Sequence, residues 1–219
     1  MNTSYLKPLL LRSLQAACGL LAFAFGVYLT IQANIGLAPW DALGMAIAGL
    51  TGLSYGVVVV SISLLIVLMD LLLGERIGIG TLLDALLVGS STDLFLQLGL
   101  IPEQNDPLVG VLLMAAGLFI MGFGQFVYMK AELCCGPRDT LLVAIGKRLH
   151  KLPIGYVEIL ILVVVLAAGW ALGGPIGLGT LISAVGIGLA MHLVFTLLHF
   201  EPRSLTHESL IDNFKLLHQ

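Results

Sequence analysis

The chain has 219 residues, 58% of them apolar and 11% charged, with 26 glycines and a formal net charge of -3. So little polar cover excludes a water-soluble domain and points to an integral membrane protein. The three cysteines, Cys18, Cys134 and Cys135, form no spaced metal motif, and the adjacent pair could not bridge to each other in ordinary geometry.

A helix rises about 1.5 Å per residue through a hydrocarbon core about 30 Å thick, so one span needs about 20 apolar residues. In chain order, six stretches satisfy this: about 10–31, 54–73, 78–98, 108–129, 154–172 and 177–199. The first is longer than a signal-peptide core and five more follow, which predicts a retained span. None shows sustained strand alternation, and an open sheet edge has no partners in lipid, so the expected fold is all-α, a polytopic membrane bundle of six transmembrane helices. The third stretch is the most polar, carrying Asp84, Ser90, Ser91, Thr92 and Asp93. Two short apolar segments, about 41–50 and 139–149, follow prolines and cannot cross. They suit half-helices that enter the membrane and return, or helices lying on its surface. Beyond the last span, Leu205, Leu210, Ile211, Phe214 and Leu217 recur at helical spacing in a tail over about 201–219, which suits a short surface helix.

The chain repeats itself. Gly36-Leu37-Ala38-Pro39-Trp40-Asp41 returns as Gly136-Pro137-Arg138-Asp139, with Pro39 and Pro137 98 positions apart. The same offset pairs Gly19 with Gly117, Gly26 with Gly124 and Asp41 with Asp139. After one inserted residue, an offset of 99 pairs Gly56 with Gly155, Gly78 with Gly177, Gly80 with Gly179 and Thr81 with Thr180. An ordered series with a single insertion indicates internal duplication. We expect one membrane domain over 1–219, with repeat one at about 9–99, repeat two at about 107–200 and a cytoplasmic tail.

With the N-terminus in the cytoplasm, Lys7, Arg12, Arg76, Lys130, Arg138, Lys147, Arg148, Lys151, Arg203 and Lys215 all fall on the inner side. The outer loop at 99–107 has only Glu103 and Asp106. The positive-inside rule therefore predicts both termini in the cytoplasm. Three spans per repeat is odd, so the second repeat enters the membrane the opposite way from the first, and the two short segments lie on opposite sides.

The motifs Asn34-Ile35-Gly36-Leu37-Ala38-Pro39-Trp40-Asp41, Gly52-Leu53-Ser54-Tyr55-Gly56, Ile79-Gly80-Thr81 and Glu132-Leu133-Cys134-Cys135-Gly136-Pro137-Arg138-Asp139 resemble the YczE/YyaS/YitT family of bacterial integral membrane proteins, on its YczE-like side. The resemblance implies a multi-span protein of the bacterial inner membrane. It carries over no catalytic residue.

Trp40, Asp41, Arg138 and Asp139 are the first candidate substrate-binding residues. Their short helices start with free amides that can hold a polar group, Arg138 adds a cation, Trp40 offers an aromatic face, and the aspartates can cap or bind a cation or proton. Asp84 and Asp93 follow, because carboxylates within spans avoid lipid and face the bundle. Gln125, Glu158 and His192 share that reasoning, although Glu158 also suits the cytosolic interface. No phosphate loop, nucleophile elbow, zinc motif or nucleic-acid surface is present, and no set of acids, bases or ligands suggests an enzyme; no cofactor or metal is expected. The expected function is secondary transport of a small molecule or ion, ion- or proton-coupled, by alternating access between inverted repeats. The alternative is a non-transporting scaffold or accessory protein for an envelope-associated process. Expected partners are the transported solute and membrane lipid, and glycine-lined faces packing between subunits would give a homodimer.

Overall fold

The computed structural model describes residues 3–201 and 208–218. Among these the elements are α1 (Thr3–Gln32), α2 (Pro39–Thr51), α3 (Tyr55–Leu72), α4 (Ile79–Leu98), α5 (Pro107–Met129), α6 (Pro137–Arg148), α7 (Ile154–Ala171), α8 (Leu178–Leu197) and α9 (Leu210–His218), with no strand. Six of them, α1, α3, α4, α5, α7 and α8, are long and apolar enough to cross a membrane. The fold is therefore an all-helical, multi-pass membrane bundle. Arg203 and Leu205 of the charge and tail patterns lie outside the described residues.

The helix ends follow from local chemistry. Pro39, Pro107 and Pro137 open α2, α5 and α6 in the first turn, where a missing N–H costs nothing. The Ser54 side chain accepts from the Val57 amide to start α3, and Gly52 ends α2 in the left-handed conformation. In α4 the Thr81 hydroxyl accepts from the Gly78 amide at 3.2 Å, and in α8 Thr180 accepts from Gly177 at 3.2 Å. The duplicated Gly-x-Gly-Thr stretches thus make the same turn twice. One extent differs from the sequence reading: α1 begins at Thr3, about two turns before the apolar run, and runs through Pro8.

α1 and α5 are the central pair. A Cβ on Gly19 would lie 2.7 Å from the Gly124 carbonyl oxygen, and one on Gly124 would lie 2.6 Å from that of Gly19. Gly26 and Gly117 show the same reciprocity at 2.6 and 2.8 Å, and Gly110 meets the Ala33 carbonyl. Partner numbers fall on one helix as they rise on the other, so the two run antiparallel. With apolar burial from water absent as a driving force, such close backbone contact supplies dispersion energy that any side chain would prevent. Around this pair, α4 packs on α1 and α8 on α5, α6 packs on α3 and α2 on α7.

The loops exchange partners as well. The Gly80 amide donates to the Leu133 carbonyl at 2.8 Å, and the Gly179 amide to that of Ile35 at 2.7 Å. Each half's last spanning helix therefore starts on the loop that precedes the other half's short helix. That loop needs left-handed residues, and they recur at the offset: Asn34 (φ 52) with Glu132 (φ 57), and Gly36 (φ 107) with Cys134 (φ 79). At one end of the bundle α9 docks, with the Leu210 amide on the Ile77 carbonyl, the Glu208 amide on the Glu132 carbonyl, and Arg12 Nη1 2.9 Å from Glu208.

The halves differ in one seam. α3 packs along α4, where a Cβ on Gly56 would strike the Gly89 carbonyl and the Asp93 side chain. At the offset of 99, Gly155 of α7 and Gly188 of α8 each face open space.

Candidate functional site

The first residues of α2 and α6 come together. The Arg138 guanidinium carbon lies 5.0 Å from the centre of the Trp40 ring, a cation on an aromatic face. Arg138 Nη1 is 3.9 Å from Asp41 Oδ1, a loose ion pair without a hydrogen bond. The same Asp41 oxygen accepts from the Tyr55 hydroxyl at 3.0 Å. Asp41 is 5% exposed. Its burial pushes the carboxyl above the ordinary aspartate range, with Arg138 and the Tyr55 hydrogen bond pulling the other way.

Neither aspartate caps its helix. Ala38 and Gly136 hold the N-cap positions of α2 and α6, and neither start has a side-chain cap. Capping is therefore not what the two aspartates do, and the Asp41 carboxylate turns instead to Tyr55 and Arg138. Asp84, on α4, approaches the α6 start: a Cβ on Gly136 would lie 2.5 Å from Asp84 Oδ2. Asp84 also lies within electrostatic reach of Arg138 and Asp139.

A small cavity of about 70 Å³ sits at this junction, lined by Trp40, Arg138, Asp139 and Glu158 over the apolar Leu142, Ile161 and Leu162. Through Glu158 and Leu162 it adjoins a cleft of about 450 Å³ beside α7, lined further by Gly155, Tyr156 and Ala184 of α8. A larger depression, about 590 Å³, lies elsewhere, on the α3–α4 seam. Asp93 belongs there: its Oδ1 accepts from the Gly56 amide at 2.8 Å and ties α4 to the start of α3.

Of the six candidate residues, the structure thus brings Trp40, Asp41, Arg138, Asp139 and Asp84 into one neighbourhood and puts Asp93 at its edge, on the α3–α4 seam within electrostatic reach of Tyr55. Two residues join them that sequence reasoning underweighted. Tyr55 stands fourteen positions after Asp41, across the α2–α3 hairpin; a tyrosine opening an apolar span was the available signal. Glu158 looked interfacial because basic residues precede it, yet it lines the cavity. The neighbourhood holds one guanidinium among the carboxyl groups of Asp41, Asp84, Asp139 and Glu158. Chemically it can hold positive charge or exchange protons.

Residues 10–196 match the model of a family described as a family of unknown function (DUF6198). The chain belongs to that family. It is 33% identical over 187 residues to the uncharacterized membrane protein YczE of Bacillus subtilis (strain 168), covering 84% of this chain and 86% of that relative. An uncharacterized protein of Haemophilus influenzae is 32% identical over 164 residues, covering 73% and 72% of the two chains. The uncharacterized protein YyaS of Bacillus subtilis is 29% identical over 178 residues, covering 80% and 88%. No solved structure matches the chain. The YczE-like resemblance read from the proline-aspartate motifs is thereby borne out.

Proposed function

We propose that this protein of the DUF6198 family is a secondary transporter of a small molecule or ion, resident in the bacterial inner membrane with both termini cytoplasmic. Its two halves are inverted repeats that exchange conformations around the Trp40–Arg138 junction. Reciprocal contacts at the duplication offset support the inversion: Gly19 with Gly124 and Gly26 with Gly117 are what a two-fold axis lying across α1 and α5 requires.

The observation that carries the proposal is the difference between equivalent seams. Gly56 and Gly89 meet backbone to backbone, while Gly155 and Gly188 face open space; the cleft beside Gly155 shares Glu158 and Leu162 with the junction cavity, whereas the depression on the α3–α4 seam shares no lining residue with it. Two halves of like sequence in unlike arrangements are what alternating access needs, since exchanging the arrangements would close one entry and open the other. One guanidinium among several carboxyl groups favours a cationic solute or a proton over an anion.

The test is uptake by purified protein in lipid vesicles, screened over radiolabelled small cations, amines and neutral solutes with and without an imposed proton gradient. The proposal expects at least one solute to accumulate, and Arg138→Ala to abolish uptake while remaining folded. A folded protein that moves none of them, and whose seams never exchange, would contradict it.

A further inference from the structure

One carboxyl group stands apart from the junction. Asp70, near the end of α3, is 0% exposed, and among the described residues neither of its carboxylate oxygens has a hydrogen-bond partner. The basic groups that α6 brings to this end of α3 are committed elsewhere. Lys147 Nζ holds the Glu75 carboxylate at 2.7 and 2.9 Å, and Arg148 donates to the carbonyls of Leu73 and Ala144 at 3.1 Å. The Glu75 amide bonds the backbone oxygen of Asp70 at 2.9 Å, leaving the carboxylate alone. From α4, Leu82 and Ala85 pack with Val67 and Ile77, so that side is apolar. α2 meets α3 at the opposite end, around Tyr55 and Val59.

An ionised carboxylate without a donor, buried in a membrane protein, costs several kcal/mol, and a neutral acid far less. The duplication sharpens the point. At the offset of 99, the place of Asp70 is taken in α7 by Gly169, where an added Cβ would lie 3.1 Å from the Leu43 amide of α2. The helix pair α2–α7 therefore closes backbone to backbone, and its counterpart α3–α6 encloses an acid instead. We propose that Asp70 is a proton-binding site, occupied in this arrangement, and shut from water by α6. Proton exchange requires α6 to part from α3. The site stands without the transport reading; joined to it, it makes the proton the coupled ion.

Infrared spectroscopy of the full chain in lipid nanodiscs at neutral pH, with the carboxyl groups of aspartate and glutamate both isotope-labelled, tests this directly. The expected difference between wild type and Asp70→Asn is one protonated-carboxyl band, slow to exchange into deuterated water. Asp70→Asn mimics the neutral acid and should melt within a few degrees of wild type, and Asp70→Glu should shift the band without removing it. If Asp70→Asn fails to fold, the Asp70→Glu shift alone decides. An unchanged band in these variants, or an ionised-carboxylate signal sensitive to sodium, would overturn the proposal. Neither result depends on whether any solute is transported.

Discussion

Arg138 lies over the ring of Trp40, 5.0 Å from its centre, and the two residues hold the same position in the two halves of the duplicated sequence. One position has thus diverged into a cation and its aromatic partner. The contact spans the halves. A double-mutant cycle with Trp40→Ala and Arg138→Ala should give a coupling of about 0.5–2 kcal/mol, the range for cation–π pairs, read from unfolding in detergent. Exchanging the two residues should recover more stability than either single exchange.

Tyr55→Phe removes the hydroxyl that donates to the buried Asp41 carboxylate at 3.0 Å. The expected loss is about 1–3 kcal/mol, the cost of leaving a buried polar group unsatisfied. Because burial raises the Asp41 carboxyl above its unfolded value, its share of stability is complete at pH below the ordinary aspartate range. That share is lost as pH rises through the raised folded value. Asp41→Asn should flatten this part of the stability profile, which a melting series across pH would reveal.

The glycines separate the two seams experimentally. Gly56→Ala and Gly89→Ala push a Cβ into backbone across the α3–α4 seam and should cost about 1–3 kcal/mol. Gly155→Ala and Gly188→Ala meet nothing within 4 Å and, alanine being the better helix former, should unfold at or slightly above the wild-type temperature. If the α7–α8 seam must close during a cycle, those two variants lose uptake without losing stability.

Cys134 adopts φ 79, a left-handed conformation, at the position matching Gly36 with φ 107. Left-handed backbone costs a residue with a side chain about 1–3 kcal/mol, and glycine gives back under about 1 kcal/mol through its freer unfolded chain. Cys134→Gly should therefore stabilise the protein by roughly 1 kcal/mol, measurable as a higher melting temperature.

The spans and their limits were legible because a hydrocarbon slab imposes one length on every crossing helix: 54–73 and 154–172 became Tyr55–Leu72 and Ile154–Ala171. The offset likewise foretold which residues would recur in structure, down to the Thr81 and Thr180 turns. Contacts between halves were not legible. The chemistry of Trp40 and Arg138 marks each as a candidate, but a pattern along one chain does not reveal that their side chains meet. Asp41 illustrates a second limit. A carboxylate in a first helical turn after proline suits capping, and only the Tyr55 hydroxyl across the hairpin redirects it. Asp70 illustrates a third: nothing along the chain distinguishes a buried acid near the end of a span from an interfacial one, and only the packed structure shows it fully buried.

The exchange between seams is tested most directly by paired cysteines in native membranes. Val60 with Ser90 on the closed seam, and Ile159 with Leu189 at the matching positions, can be joined by a short thiol cross-linker in a chain lacking Cys18, Cys134 and Cys135. Both pairs should react in the population, and joining one should exclude the other when all four cysteines are present. Reaction confined to Val60 and Ser90, with Ile159 and Leu189 never joined under any solute or pH, would contradict the account.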